Sequence, residues 1–328
     1  MERTTQNHRQ AMPAGYQLGA YCIKSILGEG SYGITYLAED KERKQWVAIK
    51  EYLPRGVAMR ETDSSVHPVT DDDNRTYEWG LKRFLEEGET LTRLNHPNIV
   101  RVYETFRANN TAYMVMAYEG GETLDSLFEQ ECYLGEIELK RLLDACLDAL
   151  EHVHAAGFIH RDVKPANILV RSNGEPVLLD FGAARAAMNS RTRPLTAVVS
   201  PGFAPFEQYT GEAGQQGPWT DIYAMACTLY SAVSRQKKPT EAIVRGNARL
   251  LGKRDPLLPA ALVGKGRYSG QFLAAVDAAM AFLPAERPQS VAVWRALFRR
   301  PASPGTWLGR LWARGSAFLK AQFAPAPA

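Results

Sequence analysis

His160-Arg161-Asp162-Val163-Lys164-Pro165-Ala166-Asn167 is the stretch from which the fold and the chemistry of this chain can be read. Eight residues carry a base, two cations, a carboxylate and an amide oxygen, between a long helical pattern and the short apolar run Asn167-Ile168-Leu169-Val170. Asp162 is suited to accept a hydroxyl proton or to orient that hydroxyl, Lys164 to neutralise charge on a transferring phosphoryl group, and Asn167 to ligate Mg2+. A few residues on, Asp180-Phe181-Gly182 closes the run Pro176-Val177-Leu178-Leu179. A carboxylate at a strand end suits a hard cation with oxygen ligands.

Upstream, Leu139, Leu142, Leu143, Cys146, Leu147, Leu150 and Val153 fall on one face of a helix. Before Gly120–Gly121 the character is different. YCIKSIL, GITYLAED and WVAIKEYL, then IVRVYETF and AYMVMAYE, are short β-branched and aromatic runs broken by turns, the pattern of antiparallel strands. Residues 54–76 read as a small hairpin or long loop with an alternating core of Val57, Met59, Val66 and Val69. Asp71–Asp73 reads as a solvated run ahead of a helix over 77–93. Downstream, 219–233, 270–283 and 289–298 read as helices. Strands first and helices after argue for an α+β fold, not a parallel βαβ sheet.

Within the strands, Gly28-Glu29-Gly30-Ser31-Tyr32-Gly33 matches G-x-G-x-x-G. A dinucleotide fingerprint opens a helix; here a strand follows, so the glycines belong to a hairpin whose backbone can approach phosphates closely. Lys50 ends the apolar Val47-Ala48-Ile49-Lys50. It fits either a phosphate contact held by a helix glutamate or a strand-end lysine reaching solvent.

The 328 residues allow two units or one bilobal domain. The formal net charge of +3 is too small to argue for a nucleic-acid partner. The four cysteines, Cys22, Cys132, Cys146 and Cys227, form no zinc-type spacing, so a reducing, cytoplasmic setting is expected. The polar N-terminus and the lack of an 18-residue apolar run are read as no signal peptide and no transmembrane helix.

In this order and spacing the motifs resemble the protein kinase family, specifically the eukaryotic-like Ser/Thr kinases of bacteria, over about residues 16–298. The resemblance implies a bilobal α+β kinase fold. It divides into a flexible tail at 1–15, an N-lobe at 16–116 with an antiparallel sheet and one key helix, a hinge at 117–121, a mainly helical C-lobe at 122–298, and a linker and tail at 299–328. It implies ATP and Mg2+ (with Mn2+ as an alternative) as cofactors and a protein as phosphate acceptor. Gly28, Glu29, Gly30, Ser31, Tyr32 and Gly33 would cover the phosphates. Lys50 would contact them, paired with Glu87, for which Glu86 and Glu89 compete. Ala48 and Leu169 would sandwich adenine, Met116 would be the gatekeeper, and Ala117, Tyr118 and Glu119 would form the hinge. Asp162 resembles the catalytic base, Lys164 the transition-state cation, and Asn167 and Asp180 the metal ligands, with His160 as packing. A lysine two positions after the aspartate resembles Ser/Thr specificity.

The resemblance further implies an activation loop after Asp180, with Thr196 as phosphosite, Thr192 and Ser190 as weaker candidates, and Arg161 as the phosphate's partner. Ser200 would bond the catalytic loop, Asp221 would brace it, and Glu207 would pair with Arg287. The family pattern Ala-Pro-Glu is stretched to Ala204-Pro205-Phe206-Glu207, and Thr35 replaces the usual valine. Trp307, Leu308, Leu311, Trp312, Phe318, Leu319 and Phe323 fall on one face of a C-terminal helical pattern. Residues 307–323 would pack on the kinase lobe, lie on a membrane surface or dock a partner. Two other functions compete with a protein kinase: a pseudokinase scaffold and a small-molecule phosphotransferase.

Overall fold

The computed structural model describes residues 10–130, 134–181, 199–209, 215–236 and 238–299, which divide into two compact units, one within Met1–Gly120 and one beginning at Gly121. The first unit is built on a six-stranded antiparallel sheet. Its strands are β1 (Gln17–Leu18), β2 (Tyr21–Gly30), β3 (Gly33–Asp40), β4 (Gln45–Tyr52), β7 (Val102–Ala108) and β8 (Thr111–Ala117), in the order β1-β2-β3-β4-β8-β7. Central β8 is buried from Thr111 to Met116 and therefore reads as an unbroken apolar run. In the ladder Lys50 pairs with Thr35 on one side and Met114 on the other, and Ala48 pairs with Met116.

Two short strands, β5 (Ala58–Arg60) and β6 (Val66–Pro68), form the expected hairpin within 54–76, but only half of its expected core is inside. Val57 and Val66 are buried, whereas Met59 and Val69 are exposed. What fixes this hairpin is polar. Arg60 forms an ion pair with the fully buried Glu51 of β4. The Glu51 carboxylate also accepts from Tyr36 Oη at 2.9 Å and Tyr113 Oη at 2.7 Å. The same cluster holds the start of the described chain. Arg60 N–H donates to the Gln10 side chain at 2.6 Å, Met12 N–H donates to Tyr36 Oη at 3.2 Å, and Met12 is buried. The loose tail expected over residues 1–15 is therefore anchored from Gln10 onward, because these donors satisfy a buried polar group that would otherwise be costly.

Helix α1 (Asp71–Leu91) packs on β7 and β8. It begins six residues earlier than expected because Thr70 caps it, accepting from Asp73 N–H, and Asp71–Asp73 form its first turn, where the helix dipole favours negative charge. Those turns are largely exposed, so apolar periodicity could not reveal them.

The second unit starts with β9 (Glu122–Thr123) and α2 (Leu124–Glu129), followed by α3 (Glu136–Ala155). Strands β10 (Ile168–Val170) and β11 (Pro176–Leu178) complete a three-stranded antiparallel sheet with β9. Gly121, at φ +151°, lies so close to the Val170 carbonyl and the Leu169 side chain that no Cβ fits. Helix α4 (Pro218–Ser234) is buried along its length from Thr220 to Val233. It is accompanied by α5 (Ala242–Leu250), α6 (Ala260–Val263), α7 (Gly270–Ala279) and α8 (Val291–Arg299). Trp294 of α8 is fully buried and donates its indole N–H to Ala275 O at 2.9 Å. Among the described residues no helix is long and apolar enough to cross a membrane.

Candidate active site

The loop from His160 to Asn167 runs from α3 into a single 3-10 turn, Pro165–Asn167, and on into β10. Three donors converge on the buried Asp162 carboxylate. Ser200 Oγ donates at 2.6 Å, Asn167 Nδ2 at 2.6 Å, and Lys164 Nζ lies at 3.0 Å. Lys164 also donates to Ser200 Oγ at 3.0 Å, so one cation touches both the carboxylate and the hydroxyl. Asn167 Nδ2 also donates to the backbone carbonyl of Asp162 at 2.9 Å. Committing its amide nitrogen inward leaves Asn167 with only its Oδ1 to offer as a ligand.

This constellation is held from below. His160 is buried and stacks on Phe181 with ring centroids 4.3 Å apart. Burial pushes its pKa down, so the ring is neutral. Its Nδ1 receives the Asp162 N–H at 3.3 Å, which leaves the proton on Nε2 to donate to Leu179 O at 2.9 Å. Asp221, in the first turn of α4, accepts from the backbone N–H groups of His160 and Arg161 at 2.8 Å each and from His154 Nε2 at 2.8 Å. Burial pushes its carboxyl up, but the His154 bond and charge, His160 and the Arg161 N–H together hold it below the usual carboxylate range.

Arg161 (φ 67°) and Asp180 (φ 40°) both sit in left-handed backbone, which non-glycine residues enter rarely and at a cost of about 1–3 kcal/mol. The Asp221 carboxylate and Gln208 Nε2, which donates to Arg161 O at 2.8 Å, hold the first of these turns in place. Strain retained at Arg161, next to Asp162, and at Asp180 itself marks this as a site rather than a packing solution.

Glu207 and Arg287 form a bidentate pair at 2.6 and 3.2 Å, both almost fully buried. Thr220 Oγ1 donates to Glu207 at 3.1 Å, and the guanidinium lies 4.5 Å over the Tyr223 ring. The extra residue of Ala204-Pro205-Phe206-Glu207 is absorbed by a 3-10 turn over Phe206–Gln208, with Phe206 packed on Phe282.

In the first unit, the Gly28–Gly33 segment is the end of the β2–β3 hairpin, with Gly28 opposite Thr35 and Gly30 opposite Gly33. A Cβ added at Gly28 would meet open space and at Gly30 only an ordinary contact with Gly33 O at 3.9 Å, whereas at Gly33 it would collide with the Glu51 carbonyl. Lys50 is half-buried on β4. On α1, Glu87 is buried, while Glu86 lies toward solvent with Arg83 at 2.8 Å, and Glu89 is exposed. Of the three candidate glutamates, only Glu87 is turned inward. Ala48 and Met116 are buried, Ala117 and Glu119 are half-buried, and Tyr118 is exposed. Leu169 is buried on β10 in the second unit.

Sequence reasoning missed His154 and Gln208 as supports. His154 lies on the long helix α3, and Gln208 directly follows Glu207; neither belongs to a motif that would have drawn attention. Ser190, Thr192 and Thr196, the C-terminal segment 307–323 and Cys132 lie outside the described residues. Among the described residues no group of three or more His, Cys, Asp or Glu side chains is arranged to hold a metal alone. A two-ligand set of Asn167 and Asp180 suits Mg2+, which keeps waters and shares its remaining positions with phosphate oxygens.

Residues 21–243 match the protein kinase domain. The chain belongs to the protein kinase family. It is 30% identical to the serine/threonine-protein kinase PknA of Nostoc sp. over 279 residues, covering 81% of this chain and 44% of that protein. It is also 30% identical to PknK of Mycobacterium tuberculosis over 272 residues, covering 81% of this chain and 22% of that one. The chain thus spans less than half the length of these curated relatives. Among solved structures, PpkA-294 in its apo form superposes with a TM-score of 0.79 at 35% identity, covering 88% of this chain and 99% of that one.

Proposed function

We propose that this chain is an active protein serine/threonine kinase that transfers the γ-phosphoryl group of ATP to Ser or Thr hydroxyls of proteins. The observation that carries the reading is the convergence of Ser200, Lys164 and Asn167 on the Asp162 carboxylate. Phosphoryl transfer asks the protein for alignment and charge neutralisation. Asp162 would accept the acceptor hydroxyl's proton or orient that hydroxyl for in-line attack. Lys164, already within reach of both Asp162 and a hydroxyl, would neutralise charge on the transferring group. Asn167 and Asp180 would hold the divalent cation, which when bound draws charge from the phosphate oxygens. The all-oxygen donor set suits Mg2+ and accepts Mn2+ as well.

In the first unit, Gly28–Gly33 would cover the phosphates and Lys50 would contact them, oriented by Glu87. The open space at Gly28 and the uncrowded surroundings of Gly30 support this, since neither packing nor a left-handed backbone requires glycine there. Ala48, Met116, Ala117–Glu119 and Leu169 would receive the adenine. Autophosphorylation at Thr196 or Thr192, with Arg161 as partner, belongs to the same reading. The three described cysteines are free thiols, which fits a reducing, cytoplasmic setting.

A pseudokinase scaffold would have no use for a base, a cation and two metal ligands kept in register. A small-molecule phosphotransferase would not need the Ser200–Glu207 platform. Incubation of the full chain with Mg·ATP and Ser-, Thr- or Tyr-containing peptides tests the assignment. Transfer to Ser or Thr peptides is expected, falling by about 10²–10⁴ in Asp162→Asn. No transfer to any peptide, together with unimpaired ATP binding, would favour the scaffold.

A further inference from the structure

The tip of a two-stranded hairpin is ordinarily its loosest part. In this chain the tip at Ser31–Tyr32 is held from outside the hairpin. The β3–β4 ladder ends at the pair Gly33–Tyr52, but hydrogen bonding continues past it. Leu53 N–H donates to Tyr32 O at 3.0 Å, and Arg55 N–H donates to Ser31 O at 2.9 Å. The Arg55 guanidinium then reaches back to the Glu29 carboxylate at 2.7 Å.

The segment making these bonds is itself stiff. Leu53, Pro54 and Val57 are buried, and the Pro54 carbonyl accepts from both Val57 N–H and Ala58 N–H, at 3.1 and 3.0 Å. Just beyond, Arg60 is paired with buried Glu51. Leu53–Arg55 therefore continues the strand that carries Lys50 and ends in a closed turn.

We infer that Leu53–Arg55 is a clamp that fixes the glycine-rich tip relative to Lys50, and that Arg55 is a positioning residue for the nucleotide's phosphates. The inference rests on the reading of Gly28–Gly33 as the phosphate-covering turn. The clamp acts in two ways. The backbone bonds set where the tip's own N–H groups lie, so less ordering is left to be done when a ligand binds. The ion pair cancels the Glu29 charge, which would otherwise repel a polyphosphate from the turn that covers it. Arg55 is tied to Ser31 and Glu29 of the turn itself, so its effect should fall on phosphates and spare the base.

The test is calorimetric binding of Mg·ATP and of adenosine to the full chain as wild type, Arg55→Glu, Arg55→Lys, the exchange Glu29→Arg with Arg55→Glu, and Gly30→Leu. An exposed ion pair accounts for up to about a fivefold effect. Arg55→Glu should weaken Mg·ATP by about three- to fivefold and leave adenosine unchanged. Arg55→Lys should keep Mg·ATP binding within about twofold of wild type, and the charge exchange should bind Mg·ATP more tightly than Arg55→Glu alone. Hydrogen exchange at residues 29–32 should speed up in Arg55→Glu only. If Arg55→Glu does not fold, Arg55→Gln carries the same comparison with a smaller shift.

Gly30→Leu separates the two levels of the argument. If it weakens Mg·ATP while Arg55→Glu does not, or if Arg55→Glu weakens ATP and adenosine equally, the clamp is refuted. If Gly30→Leu also leaves Mg·ATP binding at the wild-type value, the phosphate role of the turn itself is wrong.

Discussion

Alanine at Gly33 and alanine at Gly30 should behave in opposite ways, although both glycines belong to one motif. At Gly33 a Cβ would fall far inside the 3.0 Å limit against the Glu51 carbonyl oxygen and 3.0 Å from its carbon. Relief requires β3 and β4 to part at the ladder step that pairs Gly33 with Tyr52. Strand β4 cannot yield easily there. The Glu51 side chain is tied to Tyr36, Tyr113 and Arg60 inside the unit. Overpacking of this kind costs about 1–3 kcal/mol. For a chain of 328 residues that lowers the melting temperature by about 1–5 °C. At Gly30 the nearest atom to an added Cβ is 3.9 Å away, which is ordinary contact. Gly30→Ala should melt at or slightly above the wild-type temperature, because alanine loses less chain entropy on folding. It should nevertheless bind Mg·ATP more weakly, since the open space beside it is assigned to phosphate. Circular-dichroism melting of the two variants, with and without Mg·ATP, decides the matter. A Gly33→Ala protein that melts like wild type, or a Gly30→Ala protein that loses as much, would refute the reasoning.

Other perturbations follow from the second unit. Arg287→Ala leaves Glu207 buried without its counter-charge and should cost about 3–5 kcal/mol in denaturant unfolding. Asp277 accepts from Ala260 and Ala261 N–H, yet burial raises its pKa from 3.8 to about 6. The folded state therefore holds that proton more tightly than the unfolded chain does. The associated stability is full below pH 4 and falls by about 3 kcal/mol as pH rises from 4 to 6, a slope that Asp277→Asn should remove from pH-dependent unfolding curves. His160 has the opposite sign. Its pKa is depressed by burial, so the stability of its neutral form is present above pH 6.5 and is lost as pH falls below it. The Asp277→Asn variant should expose that acid-side loss by itself. Asn167→Ala should raise the Mg2+ needed for half-maximal rate by about 10–100-fold in steady-state kinetics, and should also lower stability by about 1–3 kcal/mol, because the buried Asp162 loses a donor.

The His160–Asn167 loop was legible in the sequence because its charges are dense and local. His160 to Asn167 contains five polar side chains that an ordinary helix–strand connection does not need. The Asp221 brace and the Glu207–Arg287 pair were legible only through resemblance, because their partners lie 60 and 80 positions away along the chain. What escaped was the polar interior of the first unit. Patterning arguments count apolar residues, and they placed Met59 and Val69 inside. The hairpin is oriented instead by Arg60 reaching buried Glu51, and its outer residues are turned to solvent. For the same reason Gln10 and Met12 read as tail, although both are hydrogen-bonded to that cluster. The start of α1 was hidden because Asp71–Asp73 carry a capping signal and no apolar stripe. Helix α5 offered only a short, half-exposed apolar face, ending in Leu250 at 84% exposure, and gave no periodic signal long enough to read.

The most direct measurement is intact mass and phosphopeptide mapping of the full chain after incubation with Mg·ATP, beside Asp162→Ala. The account predicts phosphate on Ser or Thr residues of the wild type, with Thr196 or Thr192 among them, and none on the variant. Equal phosphate on both proteins would contradict the role given to Asp162. No phosphate on either, with Ser and Thr peptides also unmodified, would contradict the assignment of an active kinase.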